Sequence, residues 1–224
     1  MSTALLPCVE VEPRQPATAS VVWMHGLGAD GHDFEPIVPH LRLPHVRFVF
    51  PNAPAIPVTI NNGFVMPAWY DIRSLDLNPA VTTREDPDQV RSSARAITAI
   101  LQRENQRGVP SERIVLAGFS QGGAMALHVA PRHPERLAGF MVLSAYELLR
   151  GSLAGEQSPA NAETPALFCH GRHDPMVPMF AGQAACESVR TPGRDVRWYD
   201  FPIQHEVSLP EIQTIAAWLR ERLP

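Results

Sequence analysis

The sequence predicts an α/β protein with a mostly parallel central sheet and helices on both faces. Two patterns and the chain length carry that prediction. Short apolar runs alternate with amphipathic runs along the chain, as strand–helix units do. Several apolar runs are nearly continuous rather than alternating, which suits strands covered on both faces. A chain of 224 residues with 45% hydrophobic and 19% charged residues has enough apolar surface for one core, so residues 1–224 read as a single domain.

The candidate strands are residues 20–25, 46–50, 113–117, 137–144, 166–170 and 196–201, with a further one at 8–12. Helical patterns fall between them at 34–41, 122–133, 180–189 and 210–222. The clearest helix opens at Asp86-Pro87, a capping residue followed by proline at the first helical position. Val90, Ala94, Ile97 and Leu101 recur there at helical spacing, and Gly108-Val109-Pro110 ends it. Residues 54–77 read as a long irregular loop and 151–164 as a surface loop. No repeat or linker divides the chain. Right-handed crossovers between parallel strands place functional groups at the strands' carboxyl ends.

Composition excludes several classes. A net charge of −4 argues against a nucleic-acid footprint. No run of about 18 apolar residues exists to span a membrane, and residues 1–11 lack a basic start, so no signal peptide is expected. The 3 cysteines, Cys8, Cys169 and Cys186, are odd in number and far apart, which disfavours a disulfide framework and fits a reducing cytoplasm. Cys169 falls inside a candidate strand. The chain contains no lysine, so Schiff-base chemistry and a lysine-ended phosphate loop are out. No cofactor is expected. His170, His173 and Asp174 raise a metal cluster, but no fourth ligand has convincing spacing, so no metal is expected either.

Gly118-Phe119-Ser120-Gln121-Gly122 fits GxSxG. The match alone is weak. Its context is stronger: Ile114-Val115-Leu116-Ala117 leads in as a strand, and the small residues from Gly122 lead out as a helix. Such a turn lifts the Ser120 hydroxyl above the sheet edge and aims a helix N-terminus at the reacting centre. A serine needs a base to take its proton, and the base needs a carboxylate to hold its tautomer. Where the order is serine, acid, histidine, the acid follows a later strand and the histidine follows the last. Asp174 lies just beyond strand 166–170, and His205 just beyond strand 196–201. Asp174 before Pro175 is also an ordinary turn, and a lone loop histidine is usually a solvated one. It is their order after Ser120 that points to chemistry.

The other histidines fit less well. His128 and His133 are placed on the helix after Ser120, and His32, His40 and His45 in surface-like segments. His25 is read as structural. Backbone donors for an oxyanion are expected at Gln121 and at Leu27, the latter between Gly26 and Gly28 after the first central strand.

These stretches resemble the carboxylesterase and acyl-protein thioesterase family of α/β-hydrolases, including bacterial carboxylesterase II. The matching residues are His25-Gly26-Leu27-Gly28, Val65 through Ile72, Gly118 through Gly123, His170-Gly171 with Asp174 and Val177-Pro178, and His205-Glu206-Val207. The resemblance implies an α/β-hydrolase fold, Ser120 as nucleophile, Asp174 as acid, His205 as base, and Leu27 and Gln121 as oxyanion donors. It implies an acyl site flanked by Met66, Trp69, Ile72 and Leu75, with Met176 and Val177 beside it. It also implies a homodimer. The chain departs from the family pattern at Gln204, where a glycine usually precedes the histidine, and at His173, where a small residue usually stands. The expected activity is hydrolysis of short- to medium-chain carboxylic esters. The alternatives are an acyl-protein thioesterase, a lysophospholipase, or an inactive binding protein on the same fold.

Overall fold

The computed structural model describes residues 5–76 and 84–224. Residues 1–4 and Leu77, the end of the predicted loop, lie outside them. The strands are β1 (Cys8–Val11), β2 (Ala19–Met24), β3 (Val46–Pro51), β4 (Ala55–Val58), β5 (Phe64–Pro67), β6 (Ile114–Phe119), β7 (Gly139–Leu143), β8 (Ala166–Gly171) and β9 (Val196–Phe201). The α-helices are α1 (Val38–Leu41), α2 (Pro87–Gln106), α3 (Gln121–Val129), α4 (Leu153–Glu156), α5 (Met179–Ser188) and α6 (Leu209–Arg222).

Seven strands form one sheet in the order β1-β3-β2-β6-β7-β8-β9. All its pairings are parallel except β1 with β3 at the edge. Within β2 the side chains alternate between two cores. Val22 and Met24 face a cluster that includes Val90, Ile97 and Leu101 of α2 and the apolar face of α3. Val21 and Trp23 face a cluster with Leu41 of α1 and Ile215, Trp218 and Leu219 of α6. The register pairs Met24 with Gly118, Phe119 with Leu143, and Gly171 with Phe201. The carboxyl ends of β2, β6, β7, β8 and β9 therefore form one edge.

Four segments differ from the sequence reading. Within 54–77, β4 and β5 pair as an antiparallel hairpin. It was hidden by its prolines and by strands that are apolar on both faces, but Asn62 and Gly63 at positive φ mark its turn. Segment 151–164 holds α4 and the fully buried Asn161. The Asn161 amide donates to the carbonyls of His133 and Glu135 and accepts from Leu137 N–H, which makes burial of a polar side chain tolerable. Helix 34–41 splits into a 3₁₀ turn, Glu35–Ile37, and α1. Arg42 then turns left-handed and stops it. Helix 122–133 is α3 followed by a 3₁₀ turn, Ala130–Arg132, so His133 lies past it.

Asp86 caps α2 by accepting from Asp88 N–H and Gln89 N–H at 3.0 and 3.1 Å, and it also pairs with Arg73. Asp86→Ala is expected to lower stability by about 1–2 kcal/mol. Urea unfolding checks this, and an unchanged midpoint refutes it.

Candidate active site

Ser120 links β6 to α3 with φ 54° and ψ −118°, a backbone conformation that costs an L-residue about 1–3 kcal/mol. Its N–H donates to Leu143 carbonyl at 2.8 Å, and its carbonyl accepts from Ala124 N–H at 3.0 Å. The glycines are required by close approach. A Cβ on Gly118 would lie 2.1 Å from the Gly122 carbonyl oxygen, and one on Gly122 would lie 2.4 Å from that of Met24. The turn therefore packs against the end of β2, and the serine hydroxyl is left at the sheet edge.

His205 lies between the serine and the carboxylate. Its Nε2 is 2.8 Å from Ser120 Oγ, and its Nδ1 is 2.7 Å from Asp174 Oδ2. A neutral imidazole with the proton on Nδ1 donates to Asp174 and accepts from the serine. The other Asp174 oxygen accepts from the N–H groups of Met176 and Val177, each at 2.8 Å. Burial pushes the Asp174 carboxyl up, but the His205 bond and the two amides outweigh it and leave it below the usual value. Behind this pair, His170 is kept neutral chiefly by burial and bonds through Nε2 to the Val177 carbonyl at 2.8 Å. The Phe119 ring packs on His205 at 4.8 Å between centroids.

A second set of buried bonds holds the loop after β2. His25 accepts from Ala53 N–H on Nε2, so its Nδ1–H donates to the Gly26 carbonyl. Burial lowers its pKa and favours the neutral ring. Trp69 Nε1–H donates to the His25 carbonyl at 2.9 Å. Gln121, itself buried, accepts from Trp69 N–H at 2.8 Å and donates to the Tyr70 carbonyl at 2.7 Å. Gly28, at φ 76°, donates to the Pro67 carbonyl. The N–H groups of Leu27 and Gln121 have no backbone acceptor among the described residues, and both residues line the cavity at Ser120.

That cavity measures about 240 Å³. Ile72, Leu75, Met176 and Val177 line it as the sequence reading places them, with Ile60, Phe119 and Tyr146 completing the apolar wall. Two expected members are corrected. Trp69 is absent from the wall because its indole is buried and bonded to the His25 carbonyl. Met66 is also absent from the wall. Its sulfur accepts from the Asn61 amide and lies beside Gly28. Arg84 and Tyr146 line the cavity without having been expected. Tyr146 stands three residues past the carboxyl end of β7, the one sequence signal that could have found it.

Residues 7–223 match the phospholipase/carboxylesterase family model. Acyl-protein thioesterase 1 of Gibberella zeae is 37% identical over 216 residues, 92% of each chain. Acyl-protein thioesterase 1 of Neurospora crassa is 38% identical over 216 residues, 92% of this chain and 88% of that one. Among solved structures, Arabidopsis thaliana SOBER1 superposes with a TM-score of 0.85 at 31% identity, covering 92% of this chain and 99% of that one. Acyl-protein thioesterase 2 of Zea mays does so at 0.85 and 26% identity, covering 97% and 99%. The architecture is the α/β-hydrolase fold.

Gln121→Ala leaves Trp69 N–H and the Tyr70 carbonyl unpaired in the core and is expected to cost about 2–4 kcal/mol, one unsatisfied group each. A midpoint shift no larger than that of an exposed substitution refutes the brace. For Asp174, a lowered folded pKa means the ionised group stabilises the fold well above pH 3.8 and stops doing so as pH falls through the lowered value. The stability gap between wild type and Asp174→Asn should therefore shrink on acidification. A gap independent of pH contradicts this.

Proposed function

The chain belongs to the phospholipase/carboxylesterase family, and on that premise we propose that it is a serine hydrolase acting on short- to medium-chain acyl esters through an acyl-enzyme on Ser120. The observation that carries the reading is His205 held between Ser120 Oγ and Asp174 Oδ2 at 2.8 and 2.7 Å.

Ser120 Oγ attacks the ester carbonyl carbon while its proton passes to His205 Nε2. The carbonyl oxygen gains the charge and is held by the N–H groups of Leu27 and Gln121 at the start of α3. The C–O bond to the leaving group breaks, and His205 returns its proton to the departing alcohol. Water then attacks the acyl-enzyme by the same route, which releases the acid and restores the serine. Asp174 stays ionised throughout and stabilises the transient imidazolium. The modest apolar cavity supports short- to medium-length acyl groups. The three free cysteines and the absence, among the described residues, of a helix long and apolar enough to cross a membrane are compatible with a cytoplasmic setting.

The names of the similar fungal proteins favour a second reading, an acyl-protein thioesterase. Matched esters, thioesters and acyl-peptides over a chain-length series separate the two. Preference for long-chain acyl-peptide thioesters would replace the small-ester reading. Lysophospholipids belong in the same series.

Ser120→Ala is expected to keep the fold and lose about 10⁴- to 10⁶-fold in turnover. A fluorophosphonate should label wild type at Ser120 one to one. Retained activity in a clean Ser120→Ala preparation overturns the assignment of the nucleophile, and no labelling of wild type favours a binding protein.

A further inference from the structure

One cation stands in the wall of the apolar cavity, and the hydrolytic steps leave it without a role. Arg84 is 9% exposed and lines the cavity that holds Ser120. Its guanidinium is held from three sides. Nε–H donates to Glu85 Oε2 at 3.0 Å, Nη2–H donates to the Glu147 carbonyl at 3.3 Å, and Cζ lies over the Tyr146 ring, 4.1 Å from its centroid. These supports are themselves braced. Tyr146 OH is 2.9 Å from Tyr70 OH, and the second Glu85 oxygen accepts from Leu149 N–H at 2.8 Å. Ile72, part of the apolar wall, bridges Glu85 directly. The wall thus runs from Ile72 straight into the arginine. Nη1 has no hydrogen-bond partner among the described residues.

We propose that Arg84 is a specificity-determining residue that receives a carboxylate at the distal end of the acyl group, so that half-esters of short dicarboxylic acids are substrates of this site. The proposal rests on the reading of Ser120 as nucleophile. A guanidinium whose rotamer is already locked loses little freedom on meeting a carboxylate, and its planar fork suits that group. Glu85 bonds only Nε of the guanidinium and leaves the remaining edge unpaired among the described residues. An apolar chain end laid against Nη1 would instead cover a charged donor without a partner, which is costly. That asymmetry discriminates between acyl groups more strongly than fit alone. The other charged residue of the wall, Asp33, has His25 and Asp30 as its electrostatic neighbours.

The test compares p-nitrophenyl glutarate half-ester with p-nitrophenyl 5-methylhexanoate, in which an isopropyl group replaces the carboxylate at equal shape. The ratio of their kcat/KM values is measured in wild type, Arg84→Lys, and Arg84→Met combined with Glu85→Gln, which leaves no orphan carboxylate. The ratio should fall about 10-fold or more in the double variant, mostly through KM, and less in Arg84→Lys. 4-Carboxyphenyl butyrate against phenyl butyrate places the charge on the alcohol side, and that ratio should not respond. A glutarate ratio that moves less than about 2-fold in both variants, with circular dichroism showing folded protein, overturns the proposal. So does a response confined to the alcohol-side pair, or a wild type that hydrolyses butyrate esters but not the half-ester. If wild type hydrolyses no ester at all, the Ser120 reading itself fails and takes this proposal with it.

Discussion

The rest of the site depends on a steric constraint at one turn. Ser120 holds a left-handed backbone because its chain must leave a buried central strand and enter a helix within a single residue. The space available is set by backbone, not by movable side chains: the Met24 and Gly122 carbonyls would collide with any Cβ at 122 or 118. A clash with backbone cannot be relieved by a rotamer change. The glycines therefore bring β6, α3 and the end of β2 into close contact. That contact places the serine hydroxyl beside the Leu27 loop and within reach of His205.

Around the turn, the loops are kept in place mainly by hydrogen bonds to backbone. The Gln121 side chain ties the nucleophile segment to residues 69 and 70, and Trp69 ties those residues to His25. His25 in turn holds the Gly26 carbonyl and Ala53 N–H. Asp174 spends one oxygen on two loop amides and the other on His205. Each polar side chain in this set is buried or partly buried and paired, so its desolvation is offset where it stands. Loops held this way keep their backbone in place around one cavity.

Periodicity and punctuation made much of this legible. The six principal strands and α2 follow local patterns of burial, capping and proline placement, and their observed bounds lie within a few residues of those expected. The order Ser120, Asp174, His205 is also local information, since each follows a recognisable strand. The hairpin β4–β5 escapes the sequence pattern because both strands are apolar throughout and each carries a proline, so the burial of Ile56 and Val58 on one face of β4 leaves no apolar–polar alternation to read. Asn161 was misread because its segment is polar, and a fully bonded amide in a core looks the same in sequence as an exposed one.

Sequence by itself determined the layered α/β architecture, the elbow glycines, and which serine, carboxylate and imidazole could meet, because each is written in neighbouring residues. Tertiary structure alone decided what the long-range neighbours do. It turned Trp69 away from the cavity to brace the His25 carbonyl, gave the Gln121 side chain a bond network of its own, and set Arg84 against Tyr146, 62 positions away, at the end of the apolar wall. The physical reason is that a side chain's direction depends on which partners the fold brings to it, and those partners come from distant strands and loops.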